Sequence, residues 1–142
     1  NILDIGCGWG PIALSIAARS PKANVWAIDV NNRSLELTAQ NAATLGLANI
    51  KTSRPDEVPA DVEFTQIWSN PPIRVGKDEL HAILHAWLPR LSIGGEAFLV
   101  VQKNLGSDSL QRWIEGEFAS THSVVRFATA KGYRVLKVKR KA

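Results

Sequence analysis

The first ten residues, Asn1 to Gly10, read NILDIGCGWG and decide the fold class. Asn1 to Ile5 has the apolar character of a buried strand, and it runs directly into glycines at alternate positions. A tight strand-to-helix turn needs glycine, because a backbone without Cβ lets a ligand approach closely. Pro11 then opens a predicted helix that ends at Arg19, since proline is favoured at a helix start. The stretch therefore predicts a strand, a ligand-binding turn and a helix.

The rest of the chain repeats this alternation of strands and helices. Apolar runs predict strands at Val25 to Ile28, Ile50 to Ser53, Phe64 to Trp68 and Ala97 to Val101, and alternation predicts a hairpin of Val124 to Phe127 with Tyr133 to Val138. Helical periodicity predicts helices from a cap at Asn31 or Asn32 to Leu45, from Asp78 to Leu91, and from a cap at Ser107 or Asp108 to Phe118. The fold class predicted is α/β: a Rossmann-like, doubly wound, mostly parallel seven-stranded sheet with a C-terminal antiparallel hairpin. Ligands of such sheets bind beyond the carboxyl ends of the strands.

Length and composition indicate an ordinary globular protein. The chain has 142 residues, enough for one domain over residues 1–142, and its apolar share is 45%. It begins at Asn1 without a methionine, so we expect it to lack the N-terminal segment of a longer protein. No apolar run has membrane-spanning length, no secretory leader is evident, and a single cysteine cannot form an internal disulfide. These features predict a cytoplasmic protein without a membrane partner.

The charge permits a polyanionic partner. The net charge is +4, and five cations stand between Arg134 and Lys141. An RNA-facing patch and a solvated edge strand protected by lysines explain this cluster equally well.

The glycine turn fits two kinds of cofactor site. Counted from Gly8, with Gly10 and Ala13, the spacing passes as a relaxed dinucleotide fingerprint, and Asp29 is the acid about 20 residues further on that binds a ribose. Glycines and acid alone therefore leave a nicotinamide or flavin site open.

The run from Asp4 to Gly10 resembles the signature of class I S-adenosylmethionine-dependent methyltransferases. The resemblance implies that Asp4 lies near the methionine amine and that the cofactor lies over a loop of Gly6, Cys7, Gly8 and Gly10. It implies also that Asp29 accepts both ribose hydroxyls, which suits a carboxylate because it accepts two donors at once. The alternative is that Asp4 caps its own turn and Asp29 the next helix. For the adenine contact, Asp56 is chosen over Ser53 and Arg54, with a plain surface acid as its alternative.

The segment Asn70-Pro71-Pro72-Ile73 resembles the motif of methyltransferases that act on planar nitrogen. A conjugated amine is a poor nucleophile until its lone pair turns toward the methyl group. The Asn70 amide oxygen and the Pro71 carbonyl would accept its two N–H bonds, and Pro72 would fix the backbone. Asn70 would also border the cofactor. As an isolated tripeptide, Asn-Pro-Pro is more often a turn that ends a strand, and its position after the fourth strand is what favours the acceptor site.

Ile73 departs from the aromatic residue that usually stacks on the target base. The longer run Asn70 to Lys77, with Gln102 to Gly106 and Lys131 to Leu136, nevertheless resembles bacterial 16S rRNA guanine-N2 methyltransferases. This resemblance implies ribosomal RNA or the small ribosomal subunit as partner, with Ile73 against the base and Arg74 and Lys77 on phosphate. A solvated loop is the alternative for those two cations. Other functions left open are a glutamine-amide methyltransferase of release factors and a scaffold without turnover.

Several other residues receive no catalytic role. His81 and His85 have a helical spacing compatible with a metal, but no third ligand is apparent, so no metal is expected. Cys7 is interpreted as a small buried residue without redox function. Trp9 is expected to border the cofactor, and the other tryptophans are predicted to be core residues: Trp26, Trp68, Trp87 and Trp113.

Overall fold

The computed structural model describes residues 1–70, 76–102, 106–130 and 132–142. The chain has two compact units, Asn1–Trp68 and Ser69–Ala142. That the whole chain is one domain stays a prediction.

The first unit alternates strands and helices as the apolar pattern predicts. Its strands are β1 (Ile2–Ile5), β2 (Val25–Ile28), β3 (Ile50–Ser53) and β4 (Phe64–Ser69), the last of which ends just beyond the unit. Its helices are α1 (Pro11–Arg19), α2 (Asn32–Thr44) and a 3-10 turn (Pro55–Glu57). β1 pairs in parallel with β2, and β2 with β3. The carboxyl ends of these three strands therefore share one edge.

The core of the first unit lies between this sheet and α1. Cys7, Ala13, Ala17, Val25 and Ala27 form its buried centre, and Leu35 of α2 packs against them. Small side chains dominate, so the helix approaches the strands closely. The glycine turn is thereby attached to a rigid base.

Two predicted helix ends of the first unit are confirmed. The Asn31 side chain caps α2, because its Oδ1 accepts from the amides of Arg33 at 2.9 Å and Ser34 at 3.2 Å. The last residue of α2 is Thr44, Leu45 is its C-cap, and Gly46 follows with φ of 69°.

The second unit contains α3 (Lys77–Trp87), a 3-10 turn (Leu88–Arg90), β5 (Leu91–Gln102), α4 (Ser107–Glu117), β6 (His122–Ala130) and β7 (Tyr133–Arg140). The predicted helix from Asp78 to Leu91 is too long. Pro89 lacks an amide hydrogen, so the regular helix ends at Trp87 and the chain tightens before entering β5. β5 also begins six residues earlier than predicted, at Leu91 instead of Ala97, and it includes Gly94.

The predicted cap of α4 at Ser107 or Asp108 is wrong. Gly106 occupies the capping position with φ of 96° and no side-chain cap. The Asp108 side chain instead pairs with Arg126 at 2.9 Å and with the buried Arg134. The Asp108 carboxylate therefore forms tertiary ion pairs instead of capping α4.

The seven strands have the order β3-β2-β1-β4-β5-β7-β6. β7 is antiparallel to both β5 and β6, with Leu136 opposite Leu99 and Val138 opposite Ala97. The predicted fold class is therefore confirmed, including the antiparallel hairpin. The hairpin folds back so that its second strand, not its first, pairs with β5.

Among the parts of the chain that the structure describes, none of the helices has the length and apolar character of a membrane span.

Candidate active site

The glycine turn after β1 is bound to β2 through its backbone. The amides of Gly6 and Cys7 both donate to the Ile28 carbonyl, at 2.9 and 3.0 Å. Gly6 and Gly8 have φ of 70° and 59°, and a Cβ built on either meets nothing within 4 Å. The turn thus has the left-handed conformation that favours glycine and has open space beside it.

Asp29 connects this turn to the start of α2. Its Oδ2 accepts from the Gly8 amide at 3.1 Å, and its Oδ1 accepts from the Asn31 amide at 2.9 Å. Asn31 itself caps α2, so the alternative that Asp29 caps that helix is wrong. Each carboxylate oxygen keeps a second lone pair, and the side chain is only partly buried. Asp29 can therefore hold the turn and still accept hydroxyl groups from a ligand.

Two polar side chains of α2 hold the opposite side of the turn. Thr38 is fully buried, and its hydroxyl donates to the Gly8 carbonyl at 2.9 Å. One helical turn on, the Asn41 amide donates to the Trp9 carbonyl at 3.0 Å. Because these carbonyls are bound to α2, the conformation of the loop peptides is set by tertiary contacts.

The contacts of Thr38 and Asn41 were missed from the sequence. Their signal is a pair of polar residues three apart on the inward side of an amphipathic helix, where apolar residues are expected. Thr38 is the buried member of that pair.

Asp4 is a buried carboxylic acid in the middle of a parallel strand pair. It is 2% exposed, and among the described residues its Oδ2 has no hydrogen-bond partner. Burial raises the pKa of Asp4 to about 7, and the negative charge of Asp29 adds to the increase, whereas a hydrogen bond from the Ala13 backbone opposes it. A buried oxygen without a partner at this edge is an acceptor that a bound cation or donor would satisfy.

Cys7 is a residue of the glycine turn, and its side chain is buried. Burial raises the pKa of its thiol to about 11, so the group stays protonated at neutral pH. Its sulfur lies 3.6 Å from the Thr38 hydroxyl. A protonated, buried thiol agrees with a packing role.

The three candidates for the adenine contact differ in the hydrogen bonds and ion pairs that their side chains already make within the protein. The Ser53 hydroxyl donates to the Arg54 carbonyl at 2.8 Å. Arg54 donates to the Val30 carbonyl at 2.8 Å and to Asn32 at 3.0 Å. Asp56 is 81% exposed and is 3.8 Å from Arg54 Nε. Asp56 is available to a ligand, and its contact with adenine stays a prediction.

Trp9, expected to border the cofactor, is 59% exposed. Among the other tryptophans, Trp87 is buried, and Trp26, Trp68 and Trp113 are half-buried. Trp113 packs against the two histidines of α3, stacked on His81 at 3.7 Å and edge-on to His85 at 5.4 Å. Within the described ranges, no group of three or more histidine, cysteine or acidic residues is arranged to hold a metal.

The acceptor motif is only partly within the described structure. Asn70 is exposed and directly follows β4, which is next to β1 in the sheet. Pro71, Pro72, Ile73 and Arg74 lie outside the described residues. Lys77 is exposed at the first position of α3. The roles of all these residues in the reaction stay predictions.

The residues of the first unit suit S-adenosylmethionine. Asp4 has an unpartnered carboxylate oxygen that could accept from an amine, Asp29 has carboxylate lone pairs that could accept from hydroxyls, and Gly6 and Gly8 border open space. Hydrogen bonds to a charged acceptor are about twice as strong as neutral ones. These acceptors therefore fit a ligand with an ammonium at one end and a ribose at the other.

Comparison with known proteins agrees with this assignment. The sequence model of the methyltransferase small domain matches residues 1–137. The uncharacterized protein YbxB of Bacillus subtilis is 38% identical over 143 residues, which covers 99% of this chain and 70% of YbxB. The release factor glutamine methyltransferase of Rhodopirellula baltica is 32% identical over 124 residues, covering 82% of this chain and 42% of the relative.

A solved structure of T. thermophilus RsmC, a 16S rRNA N2 methyltransferase in complex with AdoMet and guanosine, superposes with a TM-score of 0.81 at 26% identity. The match covers 99% of this chain but 37% of RsmC, so the chain spans well under half of these two enzymes. The dinucleotide alternative is thereby set aside. The chain belongs to the methyltransferase small domain family and is an S-adenosylmethionine-dependent methyltransferase.

Proposed function

We propose that this protein transfers a methyl group from S-adenosylmethionine to an exocyclic amine, the N2 of a guanine in small-subunit ribosomal RNA. The single observation that carries the proposal is the position of Asn70, exposed directly after β4 and followed by two prolines in the sequence. Support comes also from the match to RsmC, whose structure holds AdoMet and guanosine together. This substrate implies a cytoplasmic location.

The reaction requires the protein mainly to orient the amine toward the methyl group. Bound S-adenosylmethionine supplies an electrophilic methyl group on a positively charged sulfur. The Asn70 amide oxygen accepts one N–H of the amine, and the Pro71 carbonyl accepts the other, which turns the nitrogen lone pair toward that methyl group. Both acceptors bind more strongly as positive charge develops on nitrogen, so they stabilise the transition state more than the ground state.

The remaining residues position the reactants. The Asp4 carboxylate binds the methionine ammonium and Asp29 binds the ribose hydroxyls, while Thr38 and Asn41 hold the glycine turn beneath them. Holding two reactants in line converts a bimolecular reaction into an effectively unimolecular one, which supplies much of the rate. As the new C–N bond forms, the C–S bond breaks and its electron pair stays on sulfur, so S-adenosylhomocysteine is the leaving group. The extra proton on nitrogen then passes to water, so no strong general base is required.

Transfer to a glutamine amide of a release factor is the second candidate. The 32% identity to the R. baltica enzyme favours it, and a glutamine amide presents the same pair of N–H bonds to Asn70. The C-terminal cations do not decide between the two substrates, because Arg134 is buried against Asp108 and Lys137 pairs with Glu96 at 3.2 Å.

The deciding experiment compares modified nucleosides in small-subunit RNA from cells with and without the gene. We expect one N2-methylguanosine site to disappear and to return when the gene is restored. If every such site persists while release-factor peptide loses its methylated glutamine, the second candidate replaces the first. Loss of neither modification would support a scaffold without turnover.

A further inference from the structure

A cavity of about 290 Å³ lies in the second unit, at the ends where α3 and α4 begin. Its lining includes Lys77, Leu80, His81, Val101, Ser109 and Leu110. The volume is at the lower limit of the roughly 300–1,000 Å³ usual for small-molecule sites. It is a space for one group of modest size, lined by residues of α3, β5 and α4.

One part of the lining is held rigid by an aromatic stack. The His81 ring is parallel to that of Trp113 within 3°, at a centroid distance of 3.7 Å. Trp113 in turn makes an edge contact with Phe118 at 5.8 Å. Burial lowers the pKa of His81, and the nearby Lys77 ammonium lowers it further, so the imidazole is neutral at physiological pH. The cavity therefore combines aliphatic walls with a fixed, uncharged ring.

The cavity lining carries a single charge. Of the lining residues that the structure describes, Lys77 is charged and none is acidic. Asp78 and Glu79 follow Lys77 in the first turn of α3, and Asp78 opposes the effect of Lys77 on the pKa of His81. Asp108 is bound by Arg126 and Arg134. An apolar space with one lysine in its lining suits a nucleobase whose phosphate reaches that lysine.

We propose that this cavity binds the nucleotide next to the methylated guanosine in the RNA substrate. The base lies against Leu80, Val101 and Leu110, and its phosphate pairs with Lys77. Ser109 supplies a hydroxyl that can hydrogen-bond a base edge. This inference rests on the proposed RNA function, and it adds a second point of recognition that selects sequence context.

The test uses 30S subunits and naked 16S rRNA from a strain that lacks the gene, with labelled S-adenosylmethionine and the full protein. Ser109→Phe fills the cavity from a half-buried helix position. Lys77→Gln removes the cation without filling the space. Lys22→Gln is the matched control, because Lys22 is exposed before β2, at the opposite ends of the strands from the ligand edge.

We expect Ser109→Phe to raise KM for RNA by roughly tenfold or more. Loss of one base contact costs about 1–3 kcal/mol, which corresponds to a change of this size. Lys77→Gln should raise KM and reduce the slope of log KM against log salt by about 1, since one phosphate contact is lost. Lys22→Gln should change neither quantity. Thermal unfolding and S-adenosylhomocysteine affinity of each variant verify that it is folded.

The outcomes separate the two proposals. If the wild-type protein methylates RNA while both variants keep its KM and salt slope, the cavity proposal is overturned and the RNA function stands. If the wild-type protein methylates release-factor peptide and not RNA, both proposals fall. Should Ser109→Phe prove unfolded, the smaller Ser109→Val replaces it as the cavity-filling variant and decides the cavity proposal, because the salt slope of Lys77→Gln also reports the phosphate contact expected at the acceptor site.

Discussion

The hydroxyl of Thr38 in α2 donates to the carbonyl of Gly8 at 2.9 Å, although 30 residues separate the two in the chain. On its other side, Gly8 donates its amide to Asp29 at 3.1 Å. The peptide groups of Gly8 are therefore held from both sides, by a neutral donor and by a charged acceptor. The conformation of the glycine turn depends on these two contacts as well as on its glycines.

Removing the Thr38 hydroxyl should loosen the turn. Thr38→Val keeps the shape of the side chain but leaves the Gly8 carbonyl without its donor, so we expect unfolding stability to fall by about 1 kcal/mol. S-adenosylhomocysteine should bind several-fold more weakly in calorimetry, because the turn is less preorganised. Thr44→Val is the control, since the Thr44 hydroxyl bonds only within α2, to the Gln40 carbonyl. Equal effects of the two substitutions on cofactor affinity would argue against a positioning role.

Gly10 should tolerate no side chain. Its φ is 96°, and an added Cβ would lie 2.9 Å from Thr38 Cγ2. Gly10→Ala therefore combines backbone strain of about 1–2 kcal/mol with a steric clash. Gly46 has a comparable φ of 69°, and a Cβ added there meets open space. Gly46→Ala therefore measures the backbone strain alone. In urea unfolding, Gly10→Ala should be the more destabilising, and adding Thr38→Ser, which removes Cγ2, should recover part of the difference.

Asp29→Asn should weaken cofactor binding strongly. The amide cannot accept from both the Gly8 and Asn31 backbones, and it loses the charge that strengthens bonds to ribose hydroxyls. A charged hydrogen bond contributes about 1.5–3 kcal/mol, which predicts a loss of roughly 10- to 100-fold in S-adenosylhomocysteine affinity. Asp61→Asn, at an exposed position of the same unit, should leave the affinity unchanged. Similar affinities for Asp29→Asn and wild type would remove Asp29 from the ribose site.

Asp4 should make the stability of the ligand-free protein depend on pH. Its pKa in the folded state is about 7 against an ordinary value of 3.8, so the folded protein retains a proton that the unfolded chain loses. The stabilisation is complete below about pH 4 and is lost as the pH rises to about 7, at up to about 1.4 kcal/mol per pH unit. Asp4→Asn lacks this loss, so its stability relative to wild type should increase from pH 4.5 to pH 8 in urea unfolding. A constant difference between the two proteins would contradict the buried, protonated acid.

The same titration should appear in cofactor binding. An ammonium requires the ionised carboxylate, so wild-type affinity for S-adenosylhomocysteine should rise with pH up to about 7 and then level. Asp4→Asn should bind more weakly at neutral pH and without that dependence. Parallel pH profiles would show that the amine does not contact Asp4.

Asn70→Ala should reduce turnover far more than cofactor affinity. Removing one preorganised hydrogen-bonding group from a transition state typically lowers kcat by about 10²–10³. Single-turnover methylation of 16S rRNA measures the chemical step directly. Asn24→Ala, at an exposed position before β2, is the control. If Asn70→Ala keeps wild-type turnover, the Asn-Pro-Pro segment is a turn and not the acceptor site.

Much of this architecture is readable from local patterns. The strand, glycine turn and helix of Asn1 to Arg19 lie where the sequence predicts them, and so do the Asn31 cap and the end of α2 at Gly46. Backbone sterics, amide satisfaction and apolar periodicity act over a few residues, so they are legible without knowledge of the fold. The acids proposed for the cofactor site are legible for the same reason, because Asp4 occupies a short apolar strand and Asp29 directly follows another.

Tertiary structure decided what depends on residues distant in sequence. The antiparallel insertion of β7 between β5 and β6 is set by which apolar faces can be buried together. The Asp108 side chain pairs with two arginines and does not cap α4. The side chains of Thr38 and Asn41 in α2 donate hydrogen bonds to carbonyls of the glycine turn. Local sequence determined where the chain turns and which residues carry charge at the turns. Only the folded protein decided which partners those groups meet, because such bonds form between segments that packing alone brings within 3 Å of each other.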